Sequence, residues 1–266
     1  MTRSEQLLGG LLLFLASLVG VVALLLPFLV PIAQTTGGVT STLRVGETPL
    51  LMLVLAVICL AILLVEFQGS RTNAKVVAAL GVMVAGTAVL RFIEVAVPGP
   101  GGFSPIFLPI IIGGYVFGSR FGFLLGAMSI LVSALITGGV GPWLPFQALA
   151  AGWVGLLAGW LPRPDNPGLQ LIILVSYGFI WGFLFGAIMN LYTWPYLAGD
   201  PAQTWQQGSG LITTLKSYVA YYVATSLVWD TARAVGNVAL IVVLGIPLVR
   251  ALGRFRDRLR FEATTA

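Results

Sequence analysis

An all-α, polytopic bundle of about eight transmembrane helices is the fold class this sequence predicts, and three observations predict it. Hydrophobic residues fill 58% of the 266 positions and charged residues only 9%, against roughly 25% charged in a soluble domain. Apolar runs near twenty residues recur along the whole chain, each long enough to cross about 30 Å of hydrocarbon as a helix. The short alternating segments of a transmembrane barrel do not occur.

The elements follow in order. The first helix runs from about Leu7 to Ile32, longer than the 7–15-residue apolar core of a signal peptide and followed by no small-residue cleavage site, so it reads as retained. The second, about Leu50 to Phe67, lies between the breakers "QTTGGVTSTLRVGETP" and "QGSRTN". The third, Ala74 to Val97, ends at "VPGPGGFSP". The fourth, Ile106 to Phe117, is too short for a simple span and reads as tilted or partly re-entrant. After "GSR" comes the fifth, Phe121 to Thr137, and after "TGGVGPWLP" the sixth, Phe146 to Leu161. "PRPDNPG" precedes the seventh, Leu169 to Leu191. The long connection "YTWPYLAGDPAQTWQQGSG" leads to the last, Lys216 to Leu252.

Lysine and arginine set the orientation. With both termini in the cytoplasm, that side receives Arg3, Arg71, Lys75, Arg120, Arg163 and the tail arginines Arg250, Arg254, Arg256, Arg258 and Arg260. The reverse orientation would export the basic tail, against the positive-inside rule. The net charge of +5 and pI near 9.7 therefore reflect anchoring against anionic lipid, not nucleic-acid binding.

Several chemistries are missing. There is no histidine and a single cysteine, Cys59, so no metal centre or disulfide framework is indicated. No phosphate-binding G-x-x-x-x-G-K-[ST], H-E-x-x-H or G-x-S-x-G motif occurs. No cofactor is expected. Active transport through this chain would need its energy from another one.

Charges inside the apolar segments are the strongest pointers to function, because they are expensive in hydrocarbon. Counting about twenty residues outward from Arg250 places Trp229, Asp230 and Arg233 near the outer boundary, and the same count from Lys75 reaches Arg91 and Glu94. Each acid–base pair is spaced i,i+3 and can bridge on its own helix. The pairs either satisfy themselves, or cross-pair to hold two helices, or present a charge to a solvated cavity. Asn237 lies one turn below Arg233, and Asn190 lies near the outer end of the seventh helix. The outer connections carry Phe103, Trp143, Phe146, Gln147, Tyr192, Trp194, Tyr196 and Trp205. About half of these suit an interfacial aromatic belt and the rest a lined cavity. The candidate substrate-binding residues are accordingly Arg91, Glu94, Phe103, Trp143, Phe146, Gln147, Asn190, Trp229, Asp230, Arg233 and Asn237.

Glycines repeat every fourth position at Gly114, Gly118, Gly122 and Gly126, and again at Gly178, Gly182 and Gly186. Such stripes let backbones approach closely. The second stripe reads as internal packing. In the first, Gly118 and Gly122 flank the cytoplasmic turn, and with Ala74 and Ala78 they make a candidate docking surface for another protein.

Three phrases carry a family resemblance: "FSPIFLPIIIGGYVFGSRFGFLLGAMSILVSAL" (103–135), "GPWLPFQALAAGWVGLLAGWLP" (141–162) and "DTARAVGN" (230–237). From about Asn73 onward the chain resembles the substrate-binding S components of energy-coupling factor (ECF) transporters. The resemblance implies a core of six helices (residues 69–252), here preceded by an additional N-terminal helix pair (1–68) and followed by a basic tail (253–266). It implies a receptor in a prokaryotic plasma membrane, without ATPase activity of its own, that captures a vitamin or related micronutrient from outside. It also implies partners: a membrane T component and two cytoplasmic ABC ATPases. The family's A-x-x-x-A docking motif falls on Ala74 and Ala78. The W-L-P-F-Q and D-x-x-R-x-x-G-N phrases are most similar to members linked to cobalamin or its precursors. The mixed charges and aromatics suit a neutral or zwitterionic molecule with a planar or bulky apolar part. A membrane enzyme using Glu94 or Asp230 as general base, or a stand-alone channel or scaffold, are the rival expectations.

Overall fold

In the computed structural model, which describes residues 3–29, 53–54, 57, 71–97, 99, 101–197 and 199–261, the shortest expected segment is the most deeply buried. The helices are α1 (Arg3–Leu29), α2 (Arg71–Ala96), α3 (Phe107–Phe117), α4 (Ser119–Thr137), α5 (Leu144–Ala158), α6 (Pro167–Thr193), α7 (Leu211–Thr225), α8 (Leu227–Leu240) and α9 (Ile246–Phe261). A π-helical turn, Ile241–Gly245, joins the last two. No strand occurs among the described residues. Among the described residues, five helices are long and apolar enough to cross a membrane: α1, α2, α4, α6 and the continuous α8–α9 run. The chain is a multi-pass membrane protein. The expected segment Leu50 to Phe67 lies outside the described residues, apart from isolated positions.

α3 is short because it is interior. Phe107, Ile110, Ile111, Ile112 and Tyr115 are almost wholly enclosed, as a helix apolar on all sides requires. α4, α5, α6 and α9 surround it. Its last carbonyls need partners that apolar neighbours cannot supply. Arg163 Nε donates to Tyr115 O (2.8 Å) and Arg256 Nη1 to Val116 O (3.0 Å). Two cations at a helix C-terminus also complement its dipole. These tail and loop arginines gather at the inner end, with Arg120 lying over Gly9.

The first glycine stripe is broken by the chain itself. Gly118 has φ +100° and ψ 176°, a region essentially reserved for glycine, and it separates α3 from α4. Gly114 and Gly122 thereby come from different helices and meet the same carbonyl, Gly155 O on α5. A Cβ at Gly114, Gly122 or Gly155 would overlap backbone, so three helices cross here at close contact. Gly126 repeats the contact against Ala151. The second stripe packs α6 on α8, with Gly178 against Ile241, Gly182 against Ala234 and Gly186 against Asp230.

One helix expected to be continuous is not. The segment drawn from Lys216 to Leu252 breaks at Ser226 (φ −124°, ψ −25°). Tyr222 Oη donates to Asp230 Oδ2 (2.8 Å) across the break. A continuous helix would separate these residues by about 12 Å along its axis. Ser226 is held by Asn190, whose Nδ2 donates to Ser226 Oγ (2.7 Å), and Tyr218 Oη donates to Ala187 O (2.5 Å) on α6. Two of these contacts come from α6, an element distant in sequence, and local propensity carries no sign of them.

The outer aromatics divide unevenly. Trp194 and Trp205 are buried and both pack on Phe28 at the end of α1, with ring centroids 5.9 and 5.6 Å away. Trp194 Nε1 donates to Gln203 O (2.9 Å). Phe146 packs on Tyr192 in a tilted arrangement, with ring centroids 4.9 Å apart. These rings tie α1 and the 194–205 connection to the bundle.

Candidate functional site: an outer cavity between two charge pairs

The connection from α2 to α3 crosses the outer end of the bundle as a glycine-rich arch. Gly101 sits at φ +59°, where a side chain is disfavoured. Gly102 lies against the backbone oxygen of Trp229, too close for a Cβ. Phe103 lays its ring over Gly236 on α8, which likewise leaves no room for a side chain there. On the opposite side, Ser104 Oγ donates to Glu94 Oε2 (2.6 Å) on α2. The arch is therefore fastened to both α2 and α8.

Beneath it is a cavity of about 220 Å³ lined by Arg91, Glu94, Gly99, Gly101, Gly102, Phe103, Ser104, Ile106, Phe107, Ile130, Gln147, Phe185 and Arg233. Two i,i+3 ion pairs flank it. Arg91 Nη1 donates to Glu94 Oε1 at 3.1 Å, with the two side chains 26% and 18% exposed. Arg233 Nη1 donates to Asp230 Oδ1 and to Gly182 O (3.1 Å). The Asp230 side chain is only 2% exposed and Arg233 15%. The Arg233 guanidinium also lies 5.4 Å from the Phe185 ring centroid, a cation–π contact. Phe185 in turn meets Phe107 edge-on at 5.0 Å.

Both carboxylates are satisfied: Glu94 by Arg91 and Ser104, Asp230 by Arg233 and Tyr222. Each carboxylate is thus held between a guanidinium and a hydroxyl donor.

Of the residues singled out from the sequence, Arg91, Glu94, Phe103, Gln147 and Arg233 line this one cavity. Asp230 stands behind Arg233. Trp229 lends its backbone to the arch while its side chain is exposed. Phe146, although adjacent to Gln147, points away into a cluster with Leu24 and Tyr192. Trp143 is exposed beside Gly141. Asn190 is engaged by Ser226. Asn237 Nδ2 donates to Gly178 O (2.9 Å), and its Oδ1 is buried without a partner among the described residues. Sequence reasoning missed Ser104, Phe107, Ile130 and Phe185. Ser104 had a signal, a hydroxyl in the "GGFSP" arch. The apolar three had none that set them apart from core residues.

On the inner side, Ala78 is exposed on α2, and the space around Gly118 is open. The side chain of Ala74 lies outside the described residues. Gly122 is buried at the α4–α5 contact. A surface made with Gly122 is not what this structure presents, because that position is used by the Gly155 backbone.

Compared with known families, residues 75–245, more than half of the chain, match the family described as "ECF transporter, substrate-specific component". Searches of curated proteins and of solved structures give no match.

Proposed function

The chain belongs to the family of ECF transporter substrate-specific components, and from that premise we propose that the cavity beneath the arch of residues 101–104 is where it receives its solute. Membership makes it a membrane substrate-binding component of a transport system and not itself the ATPase. The observation that carries the site is the convergence of two charge pairs, from helices far apart in sequence, on one cavity at the outer end. Ionisable groups at that depth are retained where they meet a polar ligand or one another, and here each arginine pairs with its own carboxylate and also lines the cavity.

In this reading Arg91, Gln147 and Arg233 make polar contacts, Glu94 and Ser104 fasten the arch over the solute, and Phe103, Phe107 and Phe185 enclose its apolar part. Asp230 positions Arg233. The solute comes from outside a prokaryotic plasma membrane and passes inward with a T component and two ABC ATPases. Ala78 on α2, with Gly118 near the inner turn, forms part of the face that docks on the T component. The size of the cavity favours a small vitamin-like solute. A corrinoid with its side chains is several times larger and would require the arch to leave both Glu94 and Trp229.

Native mass spectrometry of the full chain, purified gently from its own membranes, tests the reading. A stoichiometric small-molecule adduct is expected. An empty chain that stays empty after exposure to a vitamin panel overturns it, and a retained mass in the corrinoid range would restore the larger substrate.

A further inference from the structure

The charged side chains of the cavity wall leave more hydrogen-bond donors than acceptors unengaged, and this bears on the charge of the solute. A guanidinium carries five N–H donors. Among the described residues, Arg91 engages a protein acceptor through Nη1 alone, and so does Arg233. The Nε and Nη2 groups of both arginines thus remain available to the cavity they line. On the acceptor side, both Glu94 oxygens already receive a hydrogen bond, and Gln147 supplies one amide. Asp230 does not line the cavity; its two oxygens are occupied by Arg233 and Tyr222.

A helix terminus adds to the imbalance. α3 begins at the cavity: Ile106 and Phe107 line it, and Ile106, as N-cap, provides no side-chain acceptor for the first backbone N–H groups. Such a terminus carries a partial positive charge. The three rings of Phe103, Phe107 and Phe185 complete an apolar wall, suited to a planar body. The charged lining residues are two arginines and one carboxylate.

We infer that the solute is a small organic anion, a planar or compact apolar body bearing a carboxylate, and that Arg91 and Arg233 together receive the carboxylate. This rests on the cavity being the solute site. Guanidinium and carboxylate meet in short, paired, charge-assisted bonds that an amide cannot match. The mixed-charge sequence pattern had suited a neutral or zwitterionic molecule. The carboxylates of both pairs are, however, turned to their own partners, and the free valence of the cavity is that of the arginines.

The test compares acids with their uncharged isosteres on the full chain in detergent. Benzoate, cinnamate and indole-3-acetate are titrated beside benzamide, cinnamamide and indole-3-acetamide, reading the thermal unfolding midpoint. Anionic, neutral and cationic pools of a small-molecule cell extract, separated by ion exchange, are titrated in parallel. At least one acid and the anionic pool are expected to raise the midpoint, with the matching amide and the other pools inert. Arg91→Gln should weaken the effective acid about thirtyfold or more, with Arg91→Lys retaining part of the effect. A midpoint raised equally by acid and amide, or raised only by the neutral or cationic pool, overturns the anion assignment and leaves the receptor reading standing. No response to any probe or pool overturns both.

Discussion

The two acid–base pairs have the same spacing and the same polarity in the bundle, yet they are held differently. α2 runs toward the arch and α8 away from it, so Arg91 and Arg233 each lie one turn deeper than their carboxylates. Asp230–Arg233 is locked from several sides, by Gly182 O, the Phe185 ring and the Tyr222 hydroxyl. Arg91–Glu94 is more exposed and has one outside partner, Ser104 of the arch. Spacing on a helix is therefore enough to make a pair, while tertiary partners decide whether it is a fixed brace or an adjustable clasp. The deep pair shapes the cavity; the shallow pair fastens its cover.

The largest effect that could break this contrast is on stability. Asp230→Ala leaves the largely enclosed Arg233 without its counter-charge and is expected to cost about 3–5 kcal/mol, measured by chemical denaturation in detergent. A loss as small as that for a surface pair would remove the brace. Tyr222→Phe takes one hydrogen bond from the same carboxylate and should cost about 1.5–3 kcal/mol in the same assay. It should also loosen α7, seen as faster amide exchange over residues 211–225. Gly155→Ala, in the tight inner crossing, forces α4 and α5 apart and is expected to cost about 1–3 kcal/mol with little change in the chemistry of the cavity. Smallest should be Glu94→Gln, at or below about 1 kcal/mol, read as a small drop in midpoint but faster proteolysis of the arch. Equal costs for Asp230→Ala and Glu94→Gln would erase the distinction between brace and clasp.

These differences mark what the sequence could and could not reveal. Charges in an apolar run are rare enough that Arg91, Glu94, Asp230 and Arg233 declare themselves, and the i,i+3 spacing gives their pairing. Six of the seven expected helices that fall on described residues are present as single helices, and the seventh is divided at Ser226, because long apolar runs leave the backbone few alternatives in a membrane. What stayed hidden was set by distant contacts. Nothing in "YYVATSLVW" at 221–229 breaks a helix, and the bend at Ser226 depends on Asn190 and Asp230. The turn at Gly118 was legible from "GSR", but not that it brings Gly114 and Gly122 together on the Gly155 backbone. Phe107 and Phe185 look like any core phenylalanine until the arch leaves a space beside them. Gln147 was legible and its neighbour Phe146 was not, because adjacent helix positions face different ways.

The account turns on the space between the pairs being occupied by the solute. Ile130 lines that space without any polar role, so Ile130→Trp fills it while leaving both pairs intact. Native mass spectrometry of wild type and Ile130→Trp, each verified as folded by a cooperative melting transition, is the most direct measurement. The account predicts a retained small-molecule adduct on wild type and none on Ile130→Trp. The same adduct on both chains, or on neither, would contradict it.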